Sequence, residues 1–263
     1  MEQTALKILS TRLLEEYCSK ITHEHLQGYE QLEDSALSAG TFSFCTSSAA
    51  VFSSRLEGEN IDLDAYVSHK RDGHQFLLDY VRKVDDIYNA YQFTRTVSCN
   101  ENNLALVHQI LTMNILPYHR RGKIRSVSSD FYSPREEITY SAAPSFIVKD
   151  ELWKFYHDLK YLTTKQLTIQ ETFFFASMLH LVFVKIYPFD DANGRISRLI
   201  EKWFLSEKIG EKAWLIESEK NYYFNTESYY TNIGLLGSDY DTLDYSKALP
   251  FLLMLPQSLI GQK

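Results

Sequence analysis

The sequence predicts an all-α, mostly helical fold with one small β-hairpin, and three observations support that. Apolar residues recur at spacings of three and four through five long segments. Only the stretch between Gly122 and Tyr140 has the character of two short strands around a turn. No repeat, low-complexity tract or Pro/Gly/Ser linker divides the 263 residues, a length that suits one large domain or two small ones.

Taken in chain order, residues 1–48 read as an N-terminal helical segment without functional signal. Residues 49–245 read as the main domain, opening with a short helix over 49–58. Leu77, Tyr80, Val81, Val84, Ile87, Tyr88 and Tyr91 predict an amphipathic helix from about Gln75 to Tyr91. Leu104, Leu106, Val107, Ile110, Leu111 and Ile115 predict another, stopped near Pro117. The hairpin follows within 122–143, with Ser133-Pro134-Arg135-Glu136 at its tip. Leu152, Phe155, Tyr156 and Leu159 mark the next helix. Glu171 to Ile186 is apolar nearly all round, as a central helix must be. Ile196, Leu199, Ile200, Trp203 and Phe204 then line one face of a helix whose other face carries Arg195, Arg198 and Lys202. Residues 246–263 read as a helical tail.

Composition narrows the function. Hydrophobic content of 44% and charged content of 23% are ordinary for a globular protein. A net charge of −7 argues against nucleic acid as the main partner, because phosphate backbones call for excess Lys and Arg. Cys18, Cys45 and Cys99 form no C-x-x-C pair, and no secretion signal opens the chain, so the expected setting is the cytoplasm. The most apolar run, Phe173 to Ile186, contains His180 and Lys185 and is too short to span a bilayer of about 30 Å. No membrane partner is expected, and a homo-oligomer is compatible with the composition.

One stretch carries chemistry: Tyr187-Pro188-Phe189-Asp190-Asp191-Ala192-Asn193-Gly194-Arg195-Ile196-Ser197-Arg198. The loop sits between two predicted helices and opens the second, where unpaired N–H groups and the positive end of the helix dipole make an anion site. Asn193 and Gly194 suit a loop whose backbone comes close to a ligand. Arg195 and Arg198 are not the charges a helix N-terminus favours, so two of them there call for an anion. Asp191 is a hard oxygen donor beside that anion and the natural ligand for Mg²⁺.

This run closely resembles the signature of the Fic (Fido) family, His-Pro-Phe-x-[Asp/Glu]-[Gly/Ala]-Asn-Gly-Arg-x-x-Arg, with Tyr187 in the place of the catalytic histidine. Most members move AMP from ATP onto a protein hydroxyl. The resemblance implies nucleotide and phosphate binding by Asp191, Ala192, Asn193, Gly194, Arg195, Ile196, Ser197 and Arg198, with Mg²⁺ and ATP (or another nucleotide) as cofactor and Asp191 as the metal ligand. It implies that Phe189 braces the loop from within. It puts Tyr187 where the base stands. An unperturbed tyrosine is only about one part in a thousand phenolate at pH 7, and losing a positioned base costs about 10²–10⁴ in rate.

Three further stretches resemble the same family. Ser53-Ser54-Arg55-Leu56-Glu57-Gly58 fits its inhibitory motif, implying that Glu57, with Ser53 and Gly58, pairs with Arg198 and blocks the γ-phosphate. Gly122-Lys123-Ile124-Arg125 and Tyr140 resemble its β-hairpin flap, which implies that a target protein docks at Ile138, Thr139 and Tyr140 by strand addition. Tyr229-Tyr230 resembles a pair that contacts the nucleoside, although Gly237 stands where an asparagine often follows. His108 and His180 lie in apolar helices and read as satisfied core histidines. Three readings are open at this point: a slow transferase with a substitute base, a pseudoenzyme that senses nucleotide or binds a target, and an enzyme whose histidine was exchanged.

Overall fold

The computed structural model describes residues 6–32, 38–73, 79–132 and 139–260. The chain opens with α1 (Leu14–Lys20), α2 (His23–Glu30), α3 (Ala39–Arg55) and α4 (Leu63–Asp72). Helices α5 (Asp79–Thr94) and α6 (Glu101–Leu111) lead into β1 (Asp130–Tyr132) and β2 (Thr139–Ser141). Then come α7 (Val148–Thr164), α8 (Ile169–Ile186), α9 (Asn193–Ile209), α10 (Ser218–Phe224), α11 (Thr226–Gly234), α12 (Leu249–Leu252) and α13 (Met254–Gln257).

The core is built around α8. Every residue from Thr172 to Ile186 is buried, so the all-round apolar pattern has the meaning the sequence suggested. Thr168 starts the helix with a capping box, accepting from the Glu171 N–H while the Glu171 carboxylate takes the Thr168 N–H. Of the described helices, α8 is the one long and apolar enough to cross a membrane, and 83% of it is buried inside the fold. Phe155 of α7, Phe189 of the following loop, and Phe251 and Leu252 of α12 are buried in the same core. The C-terminal residues therefore complete the interior. Helix α3 runs unbroken through position 48, tying the N-terminal segment to the helix that carries Ser53.

Two helices differ in extent from their periodicity. The described part of α5 begins at Asp79 and runs to Thr94; residues 75–78 of the expected helix lie outside the described residues. Helix α6 starts early because the Asn100 side chain caps the Asn103 N–H. It ends at Leu111, short of Ile115, because two polar groups draw the chain off the helical path. The Thr112 hydroxyl donates back to the His108 carbonyl at 2.6 Å, and Asp86 accepts from both the backbone and the side chain of Asn114 at 2.6 and 2.8 Å.

The two strands pair antiparallel, with Phe131 opposite Tyr140; the expected tip, 133–136, and Ile138 lie outside the described residues. The Phe131 and Tyr140 rings stack at 4.8 Å, and the Tyr140 hydroxyl donates to the Val184 carbonyl of α8 at 2.7 Å. The outer edge of β2 is partly covered by the chain itself, since the Ser141 N–H donates to the Ser238 carbonyl at 2.7 Å in a parallel bridge with Asp239.

Arg125, 3% exposed, fixes this hairpin to the fold. Its guanidinium donates to the Tyr187 and Ile186 carbonyls at the end of α8, at 2.6 and 3.3 Å. It also donates to Val127 at 2.7 Å before β1 and to Ala143 after β2. One cation thus satisfies the orphan carbonyls of a helix C-terminus and joins both legs of the hairpin to it.

Asp158 of α7 plays a similar part at the other end, accepting from the N–H groups of Lys7, Ile8 and Leu9 at 2.7–2.9 Å. Replacing Asp158 by Ala leaves three donors without their partner and is expected to cost about 2–4 kcal/mol. Denaturant unfolding measures the loss, and amide exchange should accelerate first at residues 7–9.

Candidate functional site

The site is the loop between α8 and α9. Helix α8 ends on Tyr187 in the left-handed conformation (φ 52°, ψ 58°), and α9 is entered through Ala192, also left-handed at φ 65°. Among the described residues these are the two non-glycine positions with positive φ, and they bracket the loop. Such strain persists only where surrounding contacts impose it, and it gathers at binding and catalytic sites. The contacts are visible. The Asn193 side chain bonds both the N–H and the carbonyl of Phe189, at 2.9 and 2.8 Å. The Phe189 ring stacks on His108 at 3.9 Å, and Ile124 pairs with Phe189 through its backbone. His108 accepts from the Gly122 N–H at 2.6 Å, and burial pulls its pKa down to about 4, as befits a neutral core ring.

The first turn of α9 is arranged for an anion. Ala192 offers no side-chain cap and the turn contains no acidic residue. Ile196 and Ser197 are fully buried, the Ser197 hydroxyl donating to the Gly194 carbonyl at 2.8 Å, so both serve the helix. Arg195 is 8% exposed, and its Nη1 has no hydrogen-bond partner. A buried guanidinium nitrogen without an acceptor is costly and marks a place for a ligand oxygen.

A carboxylate of the chain itself already reaches this turn. Glu57 Oε1 accepts from Arg198 Nη2 at 2.6 Å. A Cβ built on Gly194 would lie 2.8 Å from that same oxygen, so glycine is what allows the carboxylate to come this close to the backbone. Arg198 is 1% exposed; its Nε and Nη2 also donate to the hydroxyl and carbonyl of Ser53 at 2.9 and 3.0 Å. Glu57 follows α3, which stops where Gly58 turns left-handed at φ 91°. Burial pushes the Glu57 carboxyl up, but Arg198 and then Arg195 outweigh it and hold the pKa below the ordinary value. Arg198 shows the complement: burial lowers its pKa, and Tyr229 and Glu57 carry it above the ordinary value.

The remaining predicted residues fall as follows. Asp191 is partly exposed, with Oδ1 accepting from the Ala192 N–H at 2.5 Å. The Tyr187 hydroxyl is pushed up to about 12, first by burial and then by Glu57 and Asp191. Its ring meets Phe131 of β1 edge-on at 6.0 Å, which places the hairpin beside it. Tyr229 and Tyr230 are 1% and 6% exposed. The Tyr230 hydroxyl donates to the Leu56 carbonyl at 2.7 Å, and that of Tyr229 lies 3.3 Å from Arg198 Nη1. Both hydroxyls are thus engaged in the wall of the site. Tyr140 turns its ring inward, and the side chain of Thr139 lies outside the described residues. Sequence reasoning assigned no role to Arg125 beyond its match to the flap motif, because four backbone carbonyls leave no pattern in side-chain spacing.

Residues 98–205 match the model of the Fic/DOC family. The likeness over that segment is to a Fic domain. No curated protein matches the sequence. Solved structures of the same fold include a Fic family protein from Desulfovibrio desulfuricans G20, 18% identical with a TM-score of 0.76, covering 95% of this chain and 72% of that one. A Fic domain containing signaling protein from Bacteroides thetaiotaomicron VPI-5482 is 15% identical with a TM-score of 0.67, covering 94% and 93%. Fic-1 from C. elegans is 15% identical with a TM-score of 0.61, covering 94% and 68%. Identities this low speak to fold. The matched segment holds the whole loop from Tyr187 to Arg198, while Ser53, Glu57, Tyr229 and Tyr230 lie outside it and reach Arg198 or the turn at Leu56 only in three dimensions.

The depressed Glu57 pKa sets a pH dependence. Stability from the Glu57–Arg198 pair is fully present above the unfolded carboxylate value of about 4.3 and is lost as pH falls through the lower folded value. The parent should exceed Glu57→Gln in unfolding free energy by about 1–3 kcal/mol at pH 7. The gap should close in acid below the ordinary carboxylate range, as read by denaturant titrations at a series of pH values.

Proposed function

We propose that this is a Fic protein that binds a Mg²⁺–nucleotide at the start of α9 and is nominally a protein adenylyltransferase. In this reading Glu57 holds it shut and Tyr187 impairs it at the chemical step. The observation that supports the reading best is the Glu57 carboxylate over Gly194, paired with Arg198 beside the orphaned Nη1 of Arg195. A carboxylate there is a chemical stand-in for a phosphate oxygen, and a phosphate must displace it to use the same donors.

The residues fit such a ligand. Asn193, Gly194, Arg195 and Arg198 would receive phosphate oxygens, and Asp191 would hold Mg²⁺ through the carboxylate oxygen not bonded to the Ala192 N–H. When bound, the metal supplies positive charge against the phosphates. In AMP transfer a target hydroxyl attacks the α-phosphorus, pyrophosphate leaves, and the hydroxyl proton passes to a base. Tyr187 stands at the base position but, with its pKa near 12, is protonated at neutral pH and a poor acceptor. That observation favours a second reading, a pseudoenzyme in which nucleotide occupancy itself is the signal. The rings of Tyr229 and Tyr230 form the wall on the nucleoside side. A target segment would add to the flap through its backbone, since Tyr140 points inward, and would do so short of Ser141, whose N–H is already taken by Ser238. The unit proposed to do this is residues 49–245, working in the cytoplasm, where Cys18, Cys45 and Cys99 remain free thiols.

Calorimetry with Mg·ATP and Mg·ADP tests the pocket. Replacing Glu57 by Gly should tighten ATP about ten-fold or more and ADP much less, because only the triphosphate competes for the Glu57 position. Arg195→Ala should abolish binding of both. If neither nucleotide binds even in Glu57→Gly, the pocket assignment is wrong.

Chemistry is tested separately. The double variant Tyr187→His, Glu57→Gly should label itself from radioactive ATP about 10²–10⁴ times faster than Glu57→Gly alone. A double variant that binds Mg·ATP yet transfers nothing would decide for the pseudoenzyme.

A further inference from the structure

Behind Arg198 lies a row of buried polar groups that phosphate binding does not itself require. Arg198 Nη1 is 3.3 Å from the Tyr229 hydroxyl, which is 2.9 Å from His180 Nε2. His180 Nδ1 is 2.9 Å from Glu201 Oε2, and the same oxygen accepts from the Tyr222 hydroxyl at 2.8 Å. Arg198 and Tyr229 are 1% exposed, and His180, Glu201 and Tyr222 are 0% exposed. The row crosses four helices: α9 carries Arg198 and Glu201, α8 carries His180, α10 carries Tyr222 and α11 carries Tyr229.

The direction of each bond follows from what each group can do. A guanidinium only donates, so the Tyr229 oxygen accepts from Arg198. Glu201 only accepts, so His180 Nδ1 carries a proton, and in the neutral ring Nε2 is then the acceptor for the Tyr229 hydroxyl. All donations run one way, from the guanidinium to the buried carboxylate, and bonds aligned like this polarise one another in a medium of low dielectric.

We infer that Glu201, His180 and Tyr229 form a positioning relay that keeps Arg198 aimed at the anion site, with His180 as its central positioning residue. The inference rests on the nucleotide reading above and extends it. Glu57 must leave before an outer phosphate can take its place, and at that moment Arg198 loses an ionic partner. Ser53 and the relay are what remain to hold the fork in place for the incoming phosphate. The relay is accordingly a determinant of preference for triphosphate over diphosphate, although His180 and Glu201 lie behind Arg198 and the Tyr229 ring and would not touch the ligand.

The test uses the full chain with Glu57→Gly, so that the inhibitory pair does not mask the effect. In that background Tyr229→Phe removes a single oxygen from a filled position, and His180→Gln retains an amide at the ring's place. Each should weaken Mg·ATP about ten-fold and Mg·ADP by less than about two-fold. The double variant should be no weaker than the worse single one, since both cut the same chain of bonds. Additive losses, or equal losses for ATP and ADP, would overturn the relay. A second measurement needs no nucleotide: the Arg198 Nε–H proton, followed by NMR, should exchange with solvent at least about ten times faster in Tyr229→Phe and in His180→Gln than in the Glu57→Gly parent. Unchanged exchange overturns the relay whatever the nucleotides do. Failure of both nucleotides to bind, with exchange accelerated, removes the nucleotide reading and leaves the aiming of Arg198 standing.

Discussion

A single buried cation organises this half of the molecule. Arg198 has almost no contact with water, and a guanidinium in that position is tolerable only if its donors are satisfied. They are satisfied by groups far apart in sequence: the hydroxyl and carbonyl of Ser53, the carboxylate of Glu57 and the hydroxyl of Tyr229. Meeting that demand brings α3, α9 and α11 together around one side chain, and it fixes where the turn at Glu57 must lie. The arrangement of the N-terminal helices follows from the need to neutralise a charge on α9 as much as from apolar burial.

How much of this was legible depends on how far each signal reached along the chain. The central helix was plain because fifteen consecutive buried residues, Thr172 to Ile186, leave a continuous apolar run. The signature loop was plain because its functional atoms come from one stretch of twelve residues. The pairing of Glu57 with Arg198 was legible only through resemblance, since nothing in local spacing links positions 141 residues apart. The end of α6 was misjudged because periodicity counts apolar residues, while Asp86 and Thr112 decided the matter with hydrogen bonds. The role of Arg125 was illegible for a related reason: its partners are main-chain carbonyls, and every residue has one.

The hairpin and the loop are held by different means. On the α9 side, Asn193, Phe189 and His108 are interlocked by hydrogen bonds and stacking. The Tyr187 side leans on the hairpin, through Arg125 at its backbone and Phe131 at its ring. Beneath the hairpin, Lys185 is wholly buried over the Tyr140 ring at 3.7 Å, with its pKa drawn down to about 7 by burial. Residue 187 is nevertheless joined to the loop, since the Asn193 side chain also bonds the Tyr187 hydroxyl.

Helix α3 gives the Glu57–Arg198 pair two distinct ways to break. Its 17 residues make a stiff rod of about 26 Å, fastened along its length by the contact of Phe42 with Trp214 and the bond of Ser43 to Tyr88. Glu57 can leave Arg198 by rotating its own partly exposed side chain, a brief local event that costs one ion pair and ends within nanoseconds to microseconds. It can also leave because the rod is displaced, which disturbs every contact along α3 and persists as long as whatever displaced it. The first mode flickers and the second latches, so one ion pair reports both on the rotamer of its own carboxylate and on the position of a whole helix.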